Sequence, residues 1–214
     1  MQSAAGNLDA IVEGVRAHLV SKNKAREQAL PLCREAIRHS ANAIRAVHRG
    51  EFDLGQELID KVAGLLQEVA AALRDHLDIF YAGFVHDAQK EFAEASLTLA
   101  LVAGRPLPPP EKLNVEHAAY LNGLGEAVGE LRRHLLDSLR GGDVEHCEDC
   151  LTAMDDIYSV LVTFDYPDAM TGGLRRTTDN VRGILERTRG DLTLAVRQRD
   201  LERKLSEFEK GLQR

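Results

Sequence analysis

Glu91 and Glu94 stand three residues apart in Lys90-Glu91-Phe92-Ala93-Glu94-Ala95, just before the apolar run Leu97 to Val102. Residues at that spacing share one face of an α-helix, where two like charges repel unless a cation joins them. Asp87 extends the same face by a four-residue step, and downstream Glu126 and Glu130 share a face of their own. Asp155 and Asp156 form a third acidic pair, but adjacent residues on a helix point different ways. The commonest fate of Asp and Glu is solvent or a salt bridge. Carboxylates that converge from separate helices instead hold a hard divalent cation. An all-oxygen donor set points to Mg²⁺, with Mn²⁺ as the alternative. The matching chemistry is metal-assisted attack on a phosphodiester.

Other chemistries fit less well. A di-iron bundle uses Glu-x-x-His motifs, and none of the eight histidines has a glutamate three positions before it. Cys147-Glu148-Asp149-Cys150 is a CxxC, but zinc wants a second pair or suitably spaced histidines, and the sequence offers Cys33 and scattered histidines. Gly123-Leu124-Gly125-Glu126-Ala127-Val128-Gly129 has the wrong spacing for a nucleotide loop and no strand before it. Small residues that let helices pack closely explain it better.

The elements that must position these groups are helical. Aromatics make up 5% of the 214 residues, with no Trp, which disfavours sheets. No segment alternates with period two, and no fixed repeat appears. The apolar spacing predicts a helix over 8–48 that kinks or breaks at Pro31, then helices over about 53–76 and 78–102. Gly104-Arg105-Pro106-Leu107-Pro108-Pro109-Pro110 stops helix formation. Further helices are expected over about 115–139, 143–164 with Asp143 as cap, the residues up to Arg189, and 191–212. The fold class is therefore all-α: a single-domain antiparallel bundle of about seven helices over 1–214. Residues 1–23 form an N-terminal helical extension and 104–113 a Pro-rich inter-helix loop.

The net charge of −7 argues against nucleic acid when taken alone. The basic residues are clustered, however: Arg34, Arg38, Arg45 and Arg49 in one segment, and Arg175, Arg176, Arg182, Arg187 and Arg189 in another. An acidic exterior with a basic inner surface suits an assembly. Three cysteines argue against a disulfide framework. The first six residues lack the features of a signal peptide, and the apolar runs are too short to span a bilayer. A cytoplasmic protein with no membrane partner is expected.

Several segments together resemble the translin family and, within it, the translin-associated factor X (Trax) branch of prokaryotic or archaeal type. Arg34-Glu35-Ala36-Ile37-Arg38-His39-Ser40 with Ile44 and His48-Arg49 resembles the family's first-helix pattern. Glu91-Phe92-Ala93-Glu94-Ala95 is similar to the acidic motif of the X-type subunits, with Phe92 where Tyr is common. Tyr120-Leu121, Gly123, Gly129-Glu130-Leu131, Arg133, Ser138 and Gly142-Asp143 match a later helix and its exit, and Leu174-Arg175-Arg176 with Asp179 a stretch near the end. The resemblance implies a translin-like seven-helix subunit of a hollow, octamer-like particle that binds single-stranded RNA or ssDNA. The particle is a homo-oligomer or a hetero-oligomer with a translin-like subunit. It also implies a Mg²⁺-dependent endoribonuclease. By position, Glu91 and Glu94 match the motif glutamates and Asp156 the catalytic aspartate, with Asp155 as the neighbouring candidate. These three are the expected catalytic and metal-binding residues. The family's Tyr-Asp-Gly-Phe context reads Asp155-Asp156-Ile157-Tyr158 here. Arg34, Arg38, Arg45 and Lys90 are placed beside the RNA backbone. The alternatives are a non-catalytic RNA- or ssDNA-binding scaffold like translin, and an adaptor bundle for protein partners.

Overall fold

A computed structural model describes residues 7–212, so the reading of the first six residues lies outside the described ones. Among the described residues there are nine helices and no strand. They are α1 (Leu8–His48), α2 (Phe52–Leu73), α3 (Leu77–Phe80), α4 (Gly83–Val102), α5 (Pro110–Leu113), α6 (His117–Arg140), α7 (Val144–Leu161), α8 (Asp168–Thr171) and α9 (Leu174–Leu212). Among the described residues no helix is long and apolar enough to cross a membrane.

The helix count departs from seven for local reasons. Ala82 is extended, with ψ 152°, and splits the expected 78–102 helix into α3 and α4. The Pro-rich loop and the Asp165–Asp168 turn each lead into a single helical turn, α5 and α8. Two expected interruptions are absent. Helix α1 runs unbroken through Pro31. That proline is exposed, so the carbonyl it leaves unbonded faces water, while Ala29, Cys33 and Ala36 continue the buried stripe on either side. Helix α9 likewise continues through Gly190, because an interior glycine costs only about 1 kcal/mol relative to Ala. Asp143 caps α7 as expected, its carboxylate accepting from the His146 amide at 3.1 Å.

Helix α4 is the centre of the fold. One side packs Phe92, Ala95 and Leu99 against Ala36, Ile44 and Val47 of α1 and Val62, Val69 and Leu73 of α2. The other side packs Ala93 and Leu97 against Leu124, Val128, Leu131 and Leu135 of α6, with Met154 and Leu161 of α7 and Val181 and Leu185 of α9 beyond. Burial on both sides explains the nearly continuous apolar stretch of α4, and it makes an ionisable residue inside that stretch conspicuous. Helices α6 and α7 form a hairpin that reverses at Gly142, whose φ of +84° is a left-handed conformation that suits glycine.

Candidate metal centre

Gly123 sets the geometry of the site. A Cβ built there would lie 2.7 Å from the Lys90 carbonyl oxygen, 2.8 Å from the Ala93 Cβ and 2.9 Å from the Glu94 amide nitrogen. Only glycine lets α6 approach the α4 backbone that closely. One turn further along α6, Glu126 is thereby delivered to the two glutamates of α4.

Glu91, Glu94 and Glu126 each offer a carboxylate oxygen, and these atoms all lie within 4.8 Å of one another. Two ligand atoms on one Mg²⁺ stand at most about 4.2 Å apart, twice the usual bond length, so small side-chain rotations close the set around an ion. Lys90 supplies the local positive charge: its ammonium is 2.7 Å from Glu126 and 3.6 Å from Glu91. Burial opposes that charge, but the Glu126 bond and the carboxylates of Glu91 and Asp87 carry Lys90 above its ordinary pKa. Glu130, four residues beyond Glu126, is bound at 2.5 Å by the His48 ring of α1, with Arg133 at 3.9 Å. That His48 bond outweighs burial and holds Glu130 below the usual carboxylate range.

Glu94 is the group that most needs a cation. It is 9% exposed and makes no ion pair among the described residues. Burial first, then the charges of Glu91, Glu126 and Glu130, push its carboxyl up to about 8. Burial likewise raises Glu91, against the pull of Lys90. A carboxyl raised to about 8 beside two others, all hard oxygen donors, fits a divalent metal.

The stability consequence has a definite sign. A carboxyl raised in the folded state binds more protons folded than unfolded between its ordinary 4.5 and about 8, so stability falls as pH rises through that window. Glu94→Gln is therefore expected to raise the Tm of the metal-free protein at pH 9 and to leave it unchanged at pH 4.5, by thermal melts in chelator. Equal melting curves at pH 9 would remove the buried-charge reading.

Asp156, expected beside the two glutamates, stands apart from them. It is exposed on α7 and takes no part in the carboxylate cluster. Met154, Ile157 and Leu161 form the inward stripe of that helix, which turns position 156 outward. Its neighbour Asp155 is bound to Arg189 of α9 at 2.6 Å. Glu126 of α6, not Asp156, is the carboxylate that stands with Glu91 and Glu94. Arg34, Arg38 and Arg45 are exposed on α1. At 100° per residue they lie within about 40° of one another around that helix. Arg45 bonds Asn42 and Arg38 stands 3.7 Å from Glu35. Lys90 is not with them; it belongs to the carboxylate cluster.

No family model matches the sequence. Relatives and solved structures are nevertheless clear. The protein MJ0175 of Methanocaldococcus jannaschii is 30% identical over 198 residues, covering 91% of this chain and 87% of its own length. Among solved structures, an AfC3PO–duplex RNA complex matches with a TM-score of 0.81 and 34% identity, over 88% of this chain and 97% of that one. AfC3PO alone matches equally, over 98% of its chain. Apo-NeC3PO, at 18% identity and TM-score 0.72 over 88% of this chain and 97% of its own, shares the fold. The chain belongs to the translin/C3PO family.

Proposed function

We propose that this protein is an RNA-binding subunit of a translin/C3PO-type oligomer and that it hydrolyses RNA phosphodiester bonds with Mg²⁺ held by Glu91, Glu94 and Glu126. The observation that carries the reading is the convergence of three carboxylates from α4 and α6, one of them buried without an ion pair among the described residues. The AfC3PO relative bound to duplex RNA supports RNA as the ligand.

A divalent cation in this set would supply Lewis-acid polarisation of a phosphoryl group and a water of lowered pKa. The chain's own residues do the rest. Glu91, Glu94 and Glu126 would hold the ion, and Glu94 would release its proton to do so. Lys90, loosened from Glu126, is placed to offset charge developing on the phosphate. His48 holds Glu130 in one orientation at the edge of the set. The exposed arginine stripe of α1 and Arg133 provide phosphate contacts, which position a strand without reading its bases.

Assembly follows from the long terminal helices. Ile11, Val12, Val15 and Leu19 expose an apolar stripe on α1, and Leu194, Leu201, Leu205 and Phe208 expose another on α9. Stripes of this length are stable when another subunit covers them. Leu19→Glu with Leu205→Glu is expected to lower the mass measured by gel filtration with light scattering; an unchanged mass would place the interface elsewhere.

The function itself is tested with labelled single-stranded and duplex RNA in Mg²⁺ and in chelator, alongside filter binding at two salt concentrations. Cleavage only with Mg²⁺ and binding that weakens with salt support the proposal. Salt-sensitive binding without cleavage would make the protein a scaffold, and no binding would leave an adaptor bundle.

A further inference from the structure

Helix α6 carries a second set of metal-type donors beyond its carboxylates. Glu126, Glu130 and His134 recur every four residues and so share one face. Eight residues of helix separate Glu126 from His134, about 12 Å along the axis. At its end of the face His134 meets the first turns of α7, folded back by the reversal at Gly142. His146 and Cys150 stand four residues apart on α7 and present their donors to it. One ring nitrogen of His134, one of His146 and the Cys150 Sγ all lie within 4.8 Å of one another.

We propose that His134, His146 and Cys150 form a Zn²⁺ site that joins α6 to α7 and keeps one coordination position open. The distances carry the assignment. The two Nε2 atoms are 2.9 Å apart and the Cys150 sulfur is 3.8 Å from the His146 Nε2. Tetrahedral zinc, with the usual bonds to imidazole nitrogen and thiolate, sets those separations at about 3.3 Å and about 3.6 Å. These two separations differ from the coordination shell by only a few tenths of an ångström. The rings stand nearly perpendicular, 88° apart, so both nitrogens can aim at one point without stacking. Without metal, one Nε2–H donates to the other ring's bare nitrogen. On zinc binding both rings carry their proton on Nδ1, the Cys150 thiol loses its proton to solvent, and two nitrogen lone pairs and a thiolate face the ion.

The donor set selects the metal. Two imidazoles and a thiolate suit zinc, whereas the all-oxygen cluster on the same helix suits Mg²⁺. Cys147 is not the fourth ligand: its thiol donates to the backbone oxygens of Asp143 at 3.0 Å and Leu135 at 3.4 Å. Cys150 is buried, while His134 and His146 are only partly so, which leaves a path for the ion to enter.

The test uses the full chain, stripped with chelator under reducing conditions and titrated with Co²⁺ and then Zn²⁺. One equivalent of Co²⁺ is expected to produce thiolate-to-cobalt charge-transfer absorption, which Zn²⁺ abolishes by displacement. Cys150→Ser removes the band, His134→Gln and His146→Gln weaken binding at least about tenfold, since even outer-shell changes cost that much, and Cys147→Ser keeps the band. Circular dichroism checks the fold of each variant, and the partly exposed His134 carries the test should Cys150→Ser not fold. Absence of the band in the wild-type protein, its survival in folded Cys150→Ser or unchanged affinity in folded His134→Gln would overturn the site.

Discussion

Glu91→Gln and Glu94→Gln are each expected to lose Mg²⁺-dependent RNA cleavage by more than about 100-fold, because changes one shell further out already cost 10- to 100-fold at metal sites. Glutamine keeps the shape and one carbonyl oxygen of glutamate but brings no negative charge to a dication. The fold should survive. Glu91 is half-buried and, among the described residues, paired with Lys90 alone, and burial and neighbouring carboxylates raise the Glu94 carboxyl to about 8, so its neutral replacement removes a strain rather than a support. RNA binding should survive too, since the exposed arginines of α1 are untouched. Single-turnover cleavage and filter binding, measured on the same preparations, check both halves. Cleavage at the wild-type rate in both variants would take the two glutamates out of the reaction.

Gly123→Ala is expected to damage both stability and the metal centre. A methyl group there sits 2.7 Å from a backbone oxygen and 2.9 Å from a backbone nitrogen of α4, neither of which a side-chain rotation can clear. Overpacking of this kind costs about 1–3 kcal/mol. The better helix propensity of alanine returns about 1 kcal/mol. The variant should therefore melt lower than wild type, and forcing α6 from α4 should weaken Mg²⁺ binding by moving Glu126 away from Glu91 and Glu94. Melts with and without Mg²⁺ separate the two effects. A variant as stable as wild type, with an undiminished Mg²⁺-induced rise in Tm, would show that the close approach does not build the site.

The all-α fold and the order of its long helices were legible in the apolar spacing, because buried stripes at helical period leave few alternatives. What the spacing did not carry was which breaks would hold. Pro31 and Gly190 are local penalties of a few kcal/mol at most, and packing of the flanking residues outweighs them. The break at Ala82 has no strong breaker beyond the glycine that follows it.

The site was legible in part. The Glu91 and Glu94 pair and the Glu126 and Glu130 pair both stand out by spacing, and the glycines around 123 read correctly as a close-packing stretch. Their meeting depends on packing between helices: a glycine that brings α6 against α4 also brings the glutamate one turn beyond it. Asp156 was placed by resemblance, although the apolar stripe of its own helix already turned it outward. Lys90, expected beside the RNA backbone, binds Glu126, which lies 36 residues away on another helix and so leaves no mark in the local sequence. The histidines looked scattered for the same reason; His134 meets His146 only across the α6–α7 hairpin.

The choice of third carboxylate is the claim on which the metal centre turns, and binding of Mn²⁺ as a paramagnetic stand-in for Mg²⁺ reads it directly. Titrations followed by electron paramagnetic resonance on wild type, Glu126→Gln and Asp156→Asn should show Glu126→Gln weakened by at least about tenfold and Asp156→Asn indistinguishable from wild type. Weak binding by Asp156→Asn with Glu126→Gln unaffected would contradict the account.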